Sequence, residues 1–217
     1  MPENHPIHSS VKALKKDRRF ARLIKKHGFP DLEHGKNPFQ ALVRSIVHQQ
    51  LSGKAAETIY NRFVSLFEKS RGFPSPDMVG KMPVHKLRSA GLSAQKALYI
   101  HDLAEKFSKG VIEHKKFHRM TSEEIIAHLT EVKGVGVWTV HMFLIFTLNR
   151  LDVLPTGDLG IRKGFQIVYK LSDLPDHKTM ENLAKPWREH ATVASWYLWR
   201  VADEAREARP KNVKDRP

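Results

Sequence analysis

The segment that decides the fold runs from Leu129 to Met142 and reads LTEVKGVGVWTVHM. An apolar helical segment that begins at Ser122 leads into a Gly-Val-Gly turn, residues 134–136, and a second apolar segment follows at once, from Val137 to Leu148. This order predicts a helix-hairpin-helix motif. Because glycine tolerates positive φ and close approach of another backbone, the turn can point amide N–H groups outward beside the N-terminus of the second helix.

Outward-pointing amides at a helix N-terminus form a phosphate site, and Lys133 adds positive charge at the same place. The residues that we expect to contact a nucleic-acid backbone are Lys133, Gly134, Val135, Gly136 and Thr139. A Gly-x-Gly between two apolar helices is more often just a sharp structural connection, and this alternative stays open. A dinucleotide-binding loop is excluded, because no predicted strand precedes the turn and the third glycine is missing.

The net charge favours nucleic acid as the partner. The 217 residues contain 37 Lys and Arg against 23 Asp and Glu, which gives a formal charge of +14. Part of this excess lies in Lys15–Arg22 and Arg206–Pro217, which are typical of a solvated helix face and a solvated tail. A basic chain with a candidate phosphate site nevertheless indicates contact with a polyanion.

Composition excludes several other classes of protein. The chain has no cysteine, so disulfide frameworks, cysteine zinc sites and iron–sulfur clusters are ruled out. The most apolar run, Phe143–Leu148, is too short to cross a bilayer, and the first residues lack the basic-then-apolar order of a secretion signal. We therefore expect a protein of the cytosol, nucleoid or nucleus that has no membrane partner.

The periodicity along the chain predicts an all-α fold, and the proline-rich breaks near Pro74, Pro76 and Pro83 favour two helical lobes around a cleft. The basic charge indicates that this is a DNA-binding cleft. We expect residues 1–9 to be disordered, residues 10–208 to form one helical domain of two interleaved subdomains, and residues 209–217 to be a basic tail. Within the domain, Ser10 is predicted to cap a single amphipathic helix from Val11 to about Lys26. Thr121-Ser122-Glu123-Glu124 has the character of a capping box at the first helix of the hairpin.

Two further places are candidates for chemistry. The short polar connection from His48 to Lys54 is either a helix–helix turn or a probe, in which His48, Gln49 and Gln50 enter the minor groove and fill the gap left by an extruded base. Asp158 precedes an apolar helix, so it is either the N-cap of that helix or a functional carboxylate.

The hairpin VKGVGVWT at residues 132–139, followed by an apolar helix and then DVLPTGDLGI at residues 152–161, resembles the helix-hairpin-helix DNA glycosylase superfamily. Within it, Trp138 and the upstream stretch IVHQQLS at residues 46–52 resemble the alkyladenine branch, DNA-3-methyladenine glycosylase II. The similarity extends over about residues 35 to 205.

The resemblance implies excision of alkylated purines from duplex DNA by base flipping, with Asp158 as the catalytic carboxylate. It places Trp138, with Met142 one turn later, in the base pocket. Bifunctional relatives have a Lys nucleophile at the position of Trp138, so the resemblance implies a monofunctional enzyme that leaves an abasic site.

The resemblance also implies that no cofactor takes part in the chemistry, while the backbone carbonyls of Thr130, Val132 and Val135 can hold a structural Na⁺ or K⁺. We expect a monomer. Two alternatives stay open: a non-catalytic protein that uses the hairpin only to bind DNA, and a superfamily glycosylase for other damaged bases.

Overall fold

The computed structural model describes residues 6–32, 35, 37–67, 70 and 72–208, and within these ranges the secondary structure is entirely helical. This confirms the all-α prediction. The α-helices are α1 Pro6–Leu14, α2 Arg18–His27, α3 Pro38–His48, α4 Gly53–Ser65, α5 Pro76–Lys81, α6 Val84–Ser89, α7 Ala94–Ser108, α8 Ser122–Thr130, α9 Val137–Phe146, α10 Leu159–Tyr169, α11 His177–Ala184 and α12 Ala191–Glu207, with 3₁₀ helices at His114–Arg119 and Lys185–His190.

The N-terminal region differs from the prediction in two ways. Helix α1 already begins at Pro6, so residues 6–9 are helical and Ser10 lies inside the helix instead of capping it. The single predicted helix is broken, because Asp17 accepts a hydrogen bond from the Arg19 amide and starts α2 as its N-cap. Both differences have local causes, since proline is favoured at a first helical position and aspartate is a strong N-cap. The expectations for residues 1–5 and for the tail at 209–217 lie outside the described residues.

The chain divides into two compact units, and the first is assembled from both ends of the sequence, Met1–Glu33 and Asn149–Pro217. Its central helix, α12, has eight consecutive buried residues, Ala191–Leu198, as expected for a helix covered on all sides. Helix α10 packs closely on α12 because Gly164 has no side chain: a Cβ there would lie 2.5 Å from the Leu198 carbonyl oxygen.

The second unit is the continuous segment His34–Leu148 and contains α3 to α9. Helix α3 begins with Pro38 and is capped by the Asn37 side chain, and its buried stripe packs against α7 and α9. At α8 the predicted capping box is confirmed, since Thr121 and Glu124 each pair with the other's backbone amide. Each large aliphatic side chain buried in this core stabilises the fold by about 1.5–3 kcal/mol. The members of the stripe on α3 are Phe39, Leu42, Val43, Ile46 and Val47.

Among the described residues, the structure has no helix that is both long and apolar enough to span a membrane.

Candidate nucleic-acid interface and catalytic carboxylate

The helix-hairpin-helix motif lies in the second unit, formed by α8, a turn and α9. Gly134 has a φ of +80° and turns the chain between the two helices, and the Val135 amide donates to the Val132 carbonyl at 3.0 Å. Gly134 is also required by its surroundings, because a Cβ there would lie 2.0 Å from Cδ2 of Tyr99. The aromatic ring of α7 therefore fixes the tip of the hairpin.

A carboxylate of α7 holds the turn as well. Asp102 accepts hydrogen bonds from the Lys133 amide at 3.2 Å and from Lys106 Nζ at 2.7 Å. Burial of this carboxyl raises its pKa, but the bonds from Lys106 and the Lys133 amide outweigh that effect, and the pKa of Asp102 is lowered overall. Asp102 is thus an anion at neutral pH that anchors the backbone of the turn and leaves the Lys133 side chain exposed.

One of the predicted backbone-contact residues, Val135, differs from the expectation, and the side chain of another, Thr139, is buried. The Val135 amide is used inside the turn and its side chain is 4% exposed, so Val135 does not contribute an outward-pointing N–H. Thr139 is 4% exposed because its side chain packs into the core, so a contact with DNA would use its backbone amide in the first turn of α9, and this contact stays a prediction. The predicted contacts from Lys133, Gly134 and Gly136 remain predictions.

Helix α9 begins beyond Gly136, which offers no side-chain cap to the amides of the first turn. In any α-helix these first amides have no acceptor in a preceding turn, and the helix dipole makes this end electropositive. Lys133 lies in the turn just before them. The start of α9 therefore has the features of an anion-binding site.

Trp138 lies in the first turn of α9 with 49% of its surface exposed, beside Val137 at 51%. Trp138 is therefore not a residue of the buried core. Met142, one turn later, is half-buried. An indole ring can stack on a planar ligand, and the predicted role of Trp138 in a base pocket stays a prediction.

The loop between α3 and α4, residues 49–52, is attached to the hairpin. Gln49 Nε2 donates to the Gly134 carbonyl oxygen at 2.8 Å, so the Gln49 side chain points at the hairpin instead of outward as predicted for a probe. Lys96 Nζ, on α7, donates to the carbonyl oxygens of Val47 at 2.7 Å and Gln49 at 2.6 Å. The bonds from Lys96 therefore hold the end of α3 and the loop to α7, the helix that also holds the hairpin.

The tip of this loop projects outward. Gln50 is exposed and has a φ of +56°, an uncommon backbone conformation for a residue other than glycine. Leu51, which the probe prediction did not include, is 40% exposed. His48 lies 3.5 Å from Glu57, and its pKa is lowered because burial and the nearby Arg44 charge outweigh the attraction of Glu57.

Asp158 lies in the first unit as the N-cap of α10, where its Oδ1 accepts a hydrogen bond from the Ile161 amide at 2.9 Å. The capping interpretation is confirmed. The same oxygen accepts a second bond, from Trp199 Nε1 at 2.8 Å. The carboxylate is half-buried, whereas Asp152, the other carboxylate of this segment, is exposed.

The segment before Asp158 is held on both sides within the first unit. The Thr192 hydroxyl donates to the Arg150 carbonyl at 2.6 Å and accepts from the Val153 amide at 3.3 Å. Thr156 is hydrogen-bonded to His177 Nδ1 at 2.6 Å. Asp158 is therefore a fixed carboxylate on a rigid support.

Side chains do not form a metal centre in the described parts of the chain, where no group of three His, Cys, Asp or Glu residues converges. The backbone of the hairpin, in contrast to the side chains, offers carbonyl oxygens as candidate ligands for a cation. Among the described residues, no backbone amide donates to the carbonyl oxygens of Thr130, the last residue of α8, or of Val135, whereas the Val132 carbonyl accepts from the Val135 amide at 3.0 Å. The C-terminal end of α8 is electronegative. Carbonyl oxygens suit a hard cation, so the predicted Na⁺ or K⁺ site fits the donors that are present.

Three residues that hold the loop and the hairpin were not predicted from the sequence, because their partners are distant in the chain. Lys96, Tyr99 and Asp102 all lie on α7, 30 to 50 residues from the loop and turn that they hold. Their spacing of three residues places successive members side by side on the surface of α7, and this spacing is the sequence feature that could have indicated a shared role.

The chain is similar in sequence to a family of known proteins. Residues 43–189 match the model of the HhH-GPD superfamily of base excision DNA repair proteins. The chain is 38% identical to DNA-3-methyladenine glycosylase 1 of Schizosaccharomyces pombe over 180 residues, 81% of this chain and 78% of that protein.

Solved structures agree. A DNA-3-methyladenine glycosidase from Bacillus halodurans is 35% identical with a TM-score of 0.84, covering 96% of this chain and 94% of its own. The 3-methyladenine DNA glycosylase of S. pombe in complex with abasic DNA is 35% identical with a TM-score of 0.75, covering 90% and 97%. The chain therefore belongs to the HhH-GPD superfamily of base excision DNA repair proteins.

Proposed function

We propose that this protein is a DNA glycosylase of the DNA-3-methyladenine glycosylase II type, which removes alkylated purines from duplex DNA and leaves an abasic site. The observation that carries the proposal is Asp158, a half-buried carboxylate held by two hydrogen bonds on a rigid segment. Membership of a base excision repair superfamily and the names of the similar proteins support the substrate class.

The chemistry follows from the charge of the substrate. Alkylation makes the purine cationic, so the C1′–N9 bond breaks with its electron pair leaving on the base, which becomes neutral. The sugar acquires oxocarbenium character, and a fixed carboxylate stabilises that developing charge without reorganising. Water then adds to C1′ and loses a proton, for which Asp158 is the candidate general base.

The residue at position 138 supports a monofunctional enzyme. A lyase needs an amine that forms a Schiff base with C1′ of the sugar. The indole nitrogen of Trp138 has its lone pair in the aromatic system and cannot do this. An exposed indole instead suits stacking against an electron-poor, methylated base, as a cation–π contact of about 0.5–2 kcal/mol.

DNA binding is proposed to use the hairpin and the α3–α4 loop together. The exposed Lys133 and the start of α9 suit a phosphate of the backbone. The projecting Gln50, with His48 at the base of the loop, suits the minor groove and the gap left by a flipped base. A Na⁺ or K⁺ on the carbonyls of Thr130, Val132 and Val135 would support the turn. We expect the protein to act as a monomer in the compartment that holds the DNA.

The test is single-turnover release of methylated purines from alkylated duplex DNA by the wild type, Asp158→Asn and the control Asp152→Asn. Asparagine caps helices about as well as aspartate, so Asp158→Asn removes the charge and keeps the fold. We expect the wild type and Asp152→Asn to release base while Asp158→Asn does not, with strand breaks appearing only after alkali.

Other outcomes have definite meanings. Duplex binding without release by any of the three proteins would favour a non-catalytic DNA-binding protein or a glycosylase for a different lesion. Strand breaks without alkali would refute the monofunctional mechanism. Full release by Asp158→Asn would refute the role of Asp158.

A further inference from the structure

We infer that Trp199 is a positioning residue for the Asp158 carboxylate, an inference that rests on the proposed catalytic role of Asp158. Trp199 Nε1 and the Ile161 amide donate to the same oxygen, Oδ1, at 2.8 and 2.9 Å. Because an indole N–H can only donate, and the two donors approach one oxygen from α12 and α10, they fix the rotation of the carboxylate about its side-chain bonds.

Two glycines of α10 make room for the hydrogen bond between Trp199 and Asp158. Gly160 and Gly164 are four residues apart and lie on one face of α10. A Cβ at Gly164 would lie 2.5 Å from the Leu198 carbonyl oxygen, and a Cβ at Gly160 would lie 2.9 Å from Trp199 Cδ1 and 3.0 Å from Asp158 Oδ1. The absence of a side chain at Gly160 therefore keeps open the space in which indole and carboxylate meet.

Trp196, in the same helix as Trp199, is a tryptophan whose indole N–H bonds the main chain and not the Asp158 carboxylate. Trp196, three residues earlier, is 8% exposed and donates to the Asp31 carbonyl at 3.1 Å, which ties α12 to the segment after α2. Trp199 is half-buried, and its donor contacts a carboxylate instead of the main chain. Substitutions of the two tryptophans can therefore distinguish an effect on the stability of the fold from an effect on the position of the Asp158 carboxylate.

The test compares Trp199→Phe with Trp196→Phe, and Gly160→Ala with Gly157→Ala, where a Cβ at Gly157 has nothing within 4 Å. Two quantities are measured: the plateau rate of single-turnover base release, and the ratio of affinities for duplexes carrying a cationic pyrrolidine or a neutral tetrahydrofuran at the abasic position. The cationic ring mimics the charge that develops on the sugar, so the ratio reports the carboxylate directly.

We expect Trp199→Phe and Gly160→Ala to lower the plateau rate about 10- to 100-fold, as small misplacements of a catalytic group do, and to lower the affinity ratio with it. Half-saturating enzyme concentration should stay the same, since neither residue is placed against DNA. Trp196→Phe should lower the urea midpoint while the affinity ratio is retained, and Gly157→Ala should match the wild type.

The failures of the two proposals are distinguishable. If Asp158→Asn keeps the preference for the cationic ring, the proposed function fails. If Asp158→Asn loses that preference but Trp199→Phe and Gly160→Ala both keep it, Asp158 acts alone and the positioning role of Trp199 is refuted. An equal loss in Trp196→Phe would refute it too, because the effect would then follow from the stability of α12.

Discussion

Replacement of Gly134 by alanine tests whether the tip of the hairpin is fixed by α7. Two separate costs follow from the geometry. A φ of +80° is strained for any residue with a Cβ, which costs about 1–2 kcal/mol. The new Cβ would also lie 2.0 Å from the Tyr99 ring, so ring and turn must move apart, and overpacking of this kind costs about 1–3 kcal/mol.

The free energy of unfolding should therefore fall by about 2–5 kcal/mol in Gly134→Ala. The two costs can be separated in a Tyr99→Ala background, where the ring is absent and only the backbone strain of about 1–2 kcal/mol remains. Gly136→Ala is the matched control, because a Cβ at Gly136 has nothing within 4 Å and its φ is −92°. Alanine is a poorer N-cap than glycine, so this control should lose less than about 1 kcal/mol.

The assay is urea unfolding of the four variants and the wild type, with equal m values as the condition for comparing them. Duplex affinity, measured beside it, should fall in Gly134→Ala as the hairpin shifts. An unchanged unfolding midpoint in Gly134→Ala would refute the reasoning. So would an equal loss with and without the Tyr99 ring, since the steric part of the cost would then be absent.

Two further predictions concern DNA binding. Lys133→Glu should weaken binding to damaged and undamaged duplexes alike and reduce the salt slope by about 1, because Lys133 is expected to contact phosphate and not a base; salt titrations check this, and unchanged affinity would place Lys133 away from DNA. Gln50→Ala should slow excision more from normally paired lesions than from mismatched ones, because pairing must be broken to flip the base. Equal slowing of single-turnover release in the two contexts would contradict a probe role for Gln50.

The parts of the fold that the sequence predicted are those encoded locally. The hairpin, the Thr121 capping box and the Asp158 cap each depend on residues within about one helical turn, and each is present in the structure. The error at the N-terminus is of the same local kind. Ser10 and Asp17 are both good caps, and the periodicity of the apolar residues did not show that the helix is interrupted between them.

The parts that the sequence did not predict depend on contacts across long separations. Gln49 was expected to enter the minor groove as part of a probe, whereas its side chain bonds to Gly134, 85 positions away. Trp199 lies 41 positions from Asp158, and Lys96 lies 47 from Gln49. Local spacing carries no information about such pairs, which become visible only when the helices are packed.

The assembly of the first unit from both ends of the chain has a consequence for synthesis on the ribosome. Helices α1 and α2 are made before the second unit but pack against α12, which is made after it, whereas the second unit is continuous along the chain. At about 5–20 residues per second, the N-terminal helices expose their apolar stripes for on the order of ten seconds. The carboxylate of Asp158 also emerges before its indole partner on α12. The proposed catalytic centre is therefore completed after the hairpin, and a nascent chain released before α12 is made would carry a hairpin without a positioned carboxylate.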